Sequence, residues 1–362
     1  MQIPTVRFPR DTSAFTRTLR QRVDAYFKEN QINRTGDWRM YLKTGVMLAL
    51  YFVPWALFTF GVTGTGVWFW VAEFVMGLGL AGIGLNVMHD ANHGAFSKSK
   101  VMNDLLGRTL DLVGGNAALW RIQHNVLHHT FTNIEGLDED IDTPGALRFS
   151  PQRPLKPWHR FQHIYAWFFY AIMSLFWITA KDWIAISRYD KKGLIERSGT
   201  TKAKLVTYLV ITKTLHFSYM FALPLIFSDL VWWQVLVGWV LMHAVAGLSL
   251  ASIFQLAHVM EHHTFPIAVK GEQMESDPMA HQLQTTANFG TRSRLLTWLS
   301  GGLNHQIEHH LFPNICHVHH RKLAPIVEKT AKEFGLPYNS QTTFWTALRV
   351  HTRMLRSLGT TA

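Results

Sequence analysis

Charge is scarce in this 362-residue chain, and cysteine is almost absent. Only 16% of the residues are Asp, Glu, Lys or Arg, well under the quarter usual for soluble domains. The single cysteine, Cys316, excludes an intramolecular disulfide framework. Acidic side chains are the scarcer sign, 24 against 35 Lys and Arg. No basic stripe or recognition module accompanies the excess, which argues against nucleic acid. The excess reads instead as the positive-inside bias of a membrane protein. The first forty residues are polar and charged, without the apolar stretch of a cleavable leader.

What the chain has is apolar length. Tyr51 to Leu80 contains one charge, Glu73, and Leu230 to Leu256 contains none. About 20 apolar residues cross a hydrocarbon core, and four segments meet that length: 41–62, 67–88, 205–227 and 230–257. The connectors Gly61–Gly66 and Ser228–Asp229 are too short for domains and carry no Lys or Arg, so the spans pair into two hairpins. Lys and Arg concentrate before the first span and after His89 and His258, which assigns both termini and both long loops to the cytoplasmic side. A fifth apolar run, Ile164–Ala180, is short for a span and is expected to lie at the interface, with Trp167 and Trp177 near the headgroups. If it crossed, the histidines before and after it would face opposite sides. The expected architecture is all-α and integral to the membrane: an N-terminal arm, 1–40, and a membrane domain, 41–362, of four spans under a histidine-rich cytoplasmic cap.

The chain has 20 histidines, and many are grouped. HDANH runs from His89 to His93, HNVLHH from His124 to His129 and HQIEHH from His305 to His310. Histidines at i and i+4 share a helical face, so His89 with His93, and His124 with His128, can aim at one ion. His258 stands alone at the end of the last span. Neutral imidazole binds iron, zinc, copper and nickel, and these histidines are too many for one four-coordinate zinc but suit two metals. Each group lies at one end of a span, so the groups can converge at the membrane surface. Redox-active iron is favoured because it can activate O₂ against an unactivated C–H bond.

The boxes HDANH, HNVLHH and HQIEHH resemble those of the membrane fatty-acid desaturases. The match is closest to the front-end type, in which glutamine replaces the first histidine of the third box, as Gln306 does here. The surroundings WRIQHNVLHHTFTNIEG and GGLNHQIEHHLFPNICHVHH are similar to delta-6 acyl-lipid desaturases of cyanobacterial type. The resemblance implies two Fe²⁺ ions, O₂ as co-substrate and a hydrophobic tunnel for an acyl chain. Carried over by position, it makes His89, His93, His124, His128, His129, His258, His309 and His310 the metal ligands. It adds Asp90, Asn125, Gln306 and Glu308 as weak ligands or as groups that orient imidazoles. It implies a cis double bond inserted into a C18 unsaturated acyl lipid or acyl-CoA, and a bacterial inner membrane as the location. No HPGG haem motif is present, so the electrons are expected from a separate ferredoxin or cytochrome b5-like donor.

The remaining motifs have plainer readings. His305, His262 and His263 are expected to be non-ligands, and His317, His319 and His320 to serve structure or a headgroup. His216 and His243 lie within spans, where interhelical hydrogen bonding suffices. GLGLAG, Gly77–Gly82, matches a dinucleotide fingerprint but sits inside a span, where close helix packing explains it. The acidic run Asp138–Asp142 lacks the glycine and glutamate of a calcium loop and reads as loop solvation or substrate positioning. A hydroxylase, ketolase or alkane monooxygenase shares this histidine chemistry. A metal transporter would instead place ligands near mid-membrane.

Overall fold

The computed structural model describes residues 6–9, 13–142, 145–268 and 272–361. Ten helices carry the architecture. Helix α1 (Ala14–Glu29) starts at Ser13, whose hydroxyl accepts from Thr16 N–H. Asp37 caps α2 (Trp38–Thr59) in the same way. Then follow α3 (Val67–Gly82), α4 (Gln162–Phe176), α5 (Asp182–Lys191), α6 (Lys202–Phe217) and the 27-residue α7 (Trp232–His258). Helices α8 (Gln306–Leu311), α9 (His320–Glu333) and α10 (Phe344–Leu358) complete the set. A short parallel pair, β1 (Asn288–Phe289) and β2 (Ser340–Gln341), ties the C-terminal part together.

Among the described residues, five helical stretches are long and apolar enough to cross a membrane: Trp38–Thr59, Val67–Asn92, Pro157–Lys191, Lys202–Phe227 and Trp232–His258. Four coincide with the expected spans, shifted by a few residues at their ends. The fifth is twice the length of the apolar run read from the sequence, because α4 continues through a π-helical turn, Trp177–Lys181, into α5. This stretch is tied at two points to segments that flank the histidines. Close to its middle, Tyr170 Oη donates to His351 Nε2, and His351 Nδ1–H donates to the carbonyl of Val259, next to His258. Near its end, Tyr189 Oη donates to Glu139, in the loop after the second box.

The membrane core is built on close approach. A Cβ at Gly79 would lie 2.6 Å from the backbone nitrogen of Tyr51 on α2, and one at Gly77 2.6 Å from the carbonyl of Met242 on α7. The GLGLAG run is therefore a packing seam, as its position inside a span suggests. At Gly247 the backbone of α7 touches the carbonyls of Tyr170 and Ala171 on α4. Above this layer, α1 lays Phe15, Leu19, Val23 and Phe27 against Leu323 and Val327 of α9 and Ile307 of α8. The described part of the N-terminal arm is thus packed onto the segment that carries the third box.

Candidate metal centre

The three boxes and His258 meet beneath this cap. One donor nitrogen each from His89, His93, His124 and His309 lies within 4.8 Å of the others, and His128, His258 and His310 form a second such group. His129 joins His309 and His310 between them. All eight histidines named from the sequence are therefore brought together, and His305 belongs to neither group.

The winding of the backbone decides which histidine goes where. The second box lies in a π-helical segment, Arg121–His128, whose longer turn brings residues five apart onto one face. His124 and His129 accordingly approach to 3.2 Å between Nε2 atoms, while His128 turns to the other group. His124 and His128 do share the face expected of i,i+4 neighbours, with stacked rings 5.1 Å apart and Asp140 near both, but they fall into different groups toward the centre of the site. A π turn, Ile83–Met88, also precedes the first box. In α8 the adjacent His309 and His310 belong to different groups, and His129 lies between them within reach of both.

Hydrogen bonds at the far nitrogens fix several rings. His128 Nδ1–H donates to Asp138 Oδ1 at 3.0 Å, with Asp140 Oδ2 at 3.5 Å. His310 Nδ1–H donates to Gln282 Oε1 at 2.8 Å. Such contacts select the tautomer whose Nε2 is free to bind. Asp138, Asp140 and Gln282 were not read as site residues from the sequence. Asp138 and Asp140 support the histidines directly, which corrects the reading of that acidic run as loop solvation or substrate positioning. Nothing local marks Gln282, which lies in a short helix, Pro278–Thr285, and meets a histidine 28 residues further along the chain.

Of the four supporting residues expected, Asp90 and Gln306 touch box histidines. Asp90 Oδ1 lies 3.7 Å from His89 Nδ1, and its other oxygen accepts from the Nδ1–H and backbone N–H of His317. The buried ammonium of Lys43 donates to His317 Nε2 at 3.0 Å. His317 is thus structural, bridging a cation and a carboxylate. The Gln306 amide lies 3.0 Å from His258 Nε2. Asn125 instead donates to the Asn92 carbonyl, and Glu308 accepts from Asn288 and Tyr338. Those two brace the backbone of the site and orient no ligand imidazole, a correction of their expected role. His263 Nδ1–H donates to the carbonyl of His258, a loop role as expected.

The donor set suits a metal ion. His93 Nε2, His309 Nε2 and His310 Nε2 are buried without a hydrogen-bond partner among the described residues, and such orphaned groups are costly unless something binds them. Burial, reinforced by neighbouring imidazoles, holds His124, His129, His309 and His310 well below the usual histidine range, so they are neutral donors at pH 7. At His128 burial acts the same way but is outweighed by Asp138 and Asp140, which lift it to about 9 in the metal-free site. The same carboxylates offer counter-charge to a bound cation.

An apolar cavity of about 50 Å³ abuts His89, lined by Leu80, Met88, Trp120, Ile178, Leu250 and Phe254 among others. Trp120 stacks on His124 with ring centroids 4.4 Å apart. Methylene groups held here would lie beside the histidines in a space that admits little water.

Comparison with known proteins agrees with this chemistry. The family model for fatty acid desaturases matches residues 64–342. The sn-1 linoleoyl-lipid 6-desaturase of Synechocystis sp. is 37% identical over 95% of this chain and 95% of its own length. That of Arthrospira platensis is 33% identical over 95% of this chain and 92% of its own length. An acyl-lipid (8-3)-desaturase of Physcomitrium patens is 38% identical over 96% of this chain and 72% of its own length. With three histidine boxes gathered beside an apolar cavity and a family match across most of its length, the chain belongs to the fatty acid desaturases.

Proposed function

We propose that this desaturase inserts a cis double bond on the carboxyl side of an existing one, in a C18 unsaturated chain esterified in a membrane lipid, with delta-6 the leading position. The observation that carries the reading is the convergence of eight histidines, with His89 lining an apolar cavity, in a chain that aligns over 95% of its length with linoleoyl-lipid 6-desaturases. An acyl-CoA would present the same methylenes, but the relatives' names favour acyl lipid.

Two iron ions fit the donor set. His89, His93, His124 and His309 would hold one, His128, His258 and His310 the other, with His129 between them and Gln306 as a weak ligand. Bound iron with O₂ supplies the oxidising power to take two hydrogens from adjacent methylenes. The protein supplies orientation. Trp120, Leu250 and Phe254 position one C–C bond beside His89 and exclude its neighbours. Asp138 and Gln282 hold the Nδ1 protons of His128 and His310 so that their Nε2 lone pairs face inward. Electrons come from a separate ferredoxin or cytochrome b5-like protein.

The topology that fits is four spans in two hairpins within domain 41–362, with arm 1–40 and the histidine site on the cytoplasmic face of a bacterial inner membrane. The stretch Pro157–Lys191 lies along that face. The support is its tethering, close to its middle and near its end, to segments that flank ligand histidines.

The test is the fatty-acid profile of a bacterial host expressing the chain and fed oleate or linoleate, with His309→Ala as control. The expected outcome is a new carboxyl-side double bond, located by mass spectrometry and absent in the variant. A hydroxylated product would move the assignment to the oxygenase chemistry of the same superfamily.

A further inference from the structure

The cavity beside His89 is too small for an acyl chain, and a much larger groove lies directly behind its wall. That groove has a volume of about 610 Å³ and is lined by Trp183, Val210, Lys213, Thr214, Phe217, Ser218, Phe221, Ala222 and Leu225. Its size falls within the range of small-molecule sites. Its rim is apolar and open to the outside: Val210, Leu225 and Trp183 are 47%, 41% and 41% exposed on an apolar helix of spanning length and on the adjoining α5.

Groove and cavity meet at a shared hydrogen bond, from Lys213 in the groove to the carbonyl of Ile178 in the cavity wall. Lys213, which lines the groove, is itself buried, and its ammonium donates to the carbonyls of Gly114 and Ile178 and to Asp182 Oδ2, each at 2.6 Å. Ile178 and Gly115 line the inner cavity. One lysine therefore fastens the loop carrying Gly114 and Gly115, the stretch carrying Ile178, and the span α6 into a single wall. All three of its protons are used in doing so.

The wall is also where the helices depart from α geometry. Ile178 lies in the π-helical turn Trp177–Lys181, and Ser218, Phe221 and Ala222 of the groove belong to another, Ser218–Ala222. Such bulges weaken a helix locally and are frequent at functional sites. Lys213 is a buried cation within a spanning segment, and such a charge is likewise costly unless it has a task.

We propose that this groove is the lateral entrance for the acyl chain of a glycerolipid in the surrounding bilayer, and that the Lys213–Asp182 clasp is its gate. The inference rests on the acyl-lipid desaturase reading and deepens it. A chain still esterified to a lipid cannot leave the bilayer cheaply, so it has to reach the histidines through a side opening at acyl depth. The groove supplies that opening next to the wall that Lys213 fastens beside the cavity at His89. The groove's occupant is an apolar acyl chain, whose methylenes meet Phe217, Phe221 and Leu225. When the clasp parts, Ile178 and the Gly114–Gly115 loop swing away and groove and cavity become one channel.

The experiment uses the full chain in nanodiscs that contain a phosphatidylglycerol with a photoreactive diazirine at mid-chain of one oleoyl-length acyl group. Labelled residues are read by mass spectrometry, and turnover of the corresponding linoleoyl lipid is measured in parallel with an electron donor. In the wild-type chain, label should be enriched at Phe217 and Phe221 and appear at Trp120, over the lipid-facing reference Leu236. Ala222→Trp fills the groove and should cut both Trp120 labelling and turnover at least tenfold, with iron content and thermal midpoint unchanged. Val210→Trp is a second plug from a different helical turn, at a half-exposed site where added bulk has room to fold. Trp120 labelling at wild-type yield in a folded plug variant would overturn the proposal, as would groove labelling no higher than at Leu236. The wild-type enrichment decides the matter even where neither plug folds. Labelling at Trp120 without any new double bond would count against the desaturation reading while leaving the entrance in place.

Discussion

At the scale of single residues, the site depends on which nitrogen of each imidazole is committed elsewhere. His128 owes its orientation to Asp138, which is fully buried and accepts three hydrogen bonds, from His128 Nδ1 and from the backbone N–H groups of Asn133 and Asp140. Asp138→Asn keeps the shape and removes the charge. Iron affinity should fall 10- to 100-fold while the fold persists, measured by chelator competition against the wild type. His351 makes a different demand. Its Nδ1–H donates to Val259 and its Nε2 accepts from Tyr170, so the ring is neutral, and burial pushes it down to about 4. The unfolded chain takes up that proton near pH 6.5. Stability is therefore full above about pH 6.5 and is lost as the pH falls toward 4, by roughly 3 kcal/mol from this group. His281 and His320, also held low by burial, act in the same direction. A thermal midpoint followed from pH 7 to 4 should fall less steeply in His351→Gln; equal slopes would remove His351 from the account. The ligand boxes were legible in the sequence because each is a local cluster. The roles of Asp138, Gln282 and Lys43 were not, because each acts on a histidine brought to it by the fold, whereas His317 has the structural role expected of it.

Elements show the same division. Helices of spanning length were visible as apolar runs, and the glycines of α3 as a seam, since both follow from side chains along one segment. A branched side chain at Gly79 has to displace the α2 backbone at Tyr51. Gly79→Val should therefore destabilise the chain by about 1–3 kcal/mol, seen as a lower thermal midpoint in detergent, with a similar penalty at Gly77. The π-helical turns were invisible. Hydropathy carries the period of the apolar face and says nothing of one extra residue per turn, yet that residue sends His128 and His129 to different partners. The join of α4 to α5 was missed for a related reason. The charges at Lys181 and Asp182 read as an end, but Asp182 is neutralised within the fold by Lys213.

Considered whole, the molecule is a set of long apolar helices with shorter segments packed on them, joined by histidines from separate parts of the chain, and the proposed architecture makes the shorter segments a cap. Metal removal should loosen the cap more than the spans. At a metal concentration a hundredfold above Kd, binding adds about 2.7 kcal/mol, so chelation should lower the thermal midpoint and expose cap amides to hydrogen exchange first. Equal exposure of α3 and α7 would contradict that order. The bond between Asp90 and His317 joins residues 227 positions apart. During synthesis the first box therefore emerges, and is inserted beside α3, long before the partner that steadies it exists. Until His317 has been synthesised, His89 and His93 lie beside an Asp90 that lacks the imidazole which steadies it. The cell must keep adventitious metals from them, or deliver iron only after release.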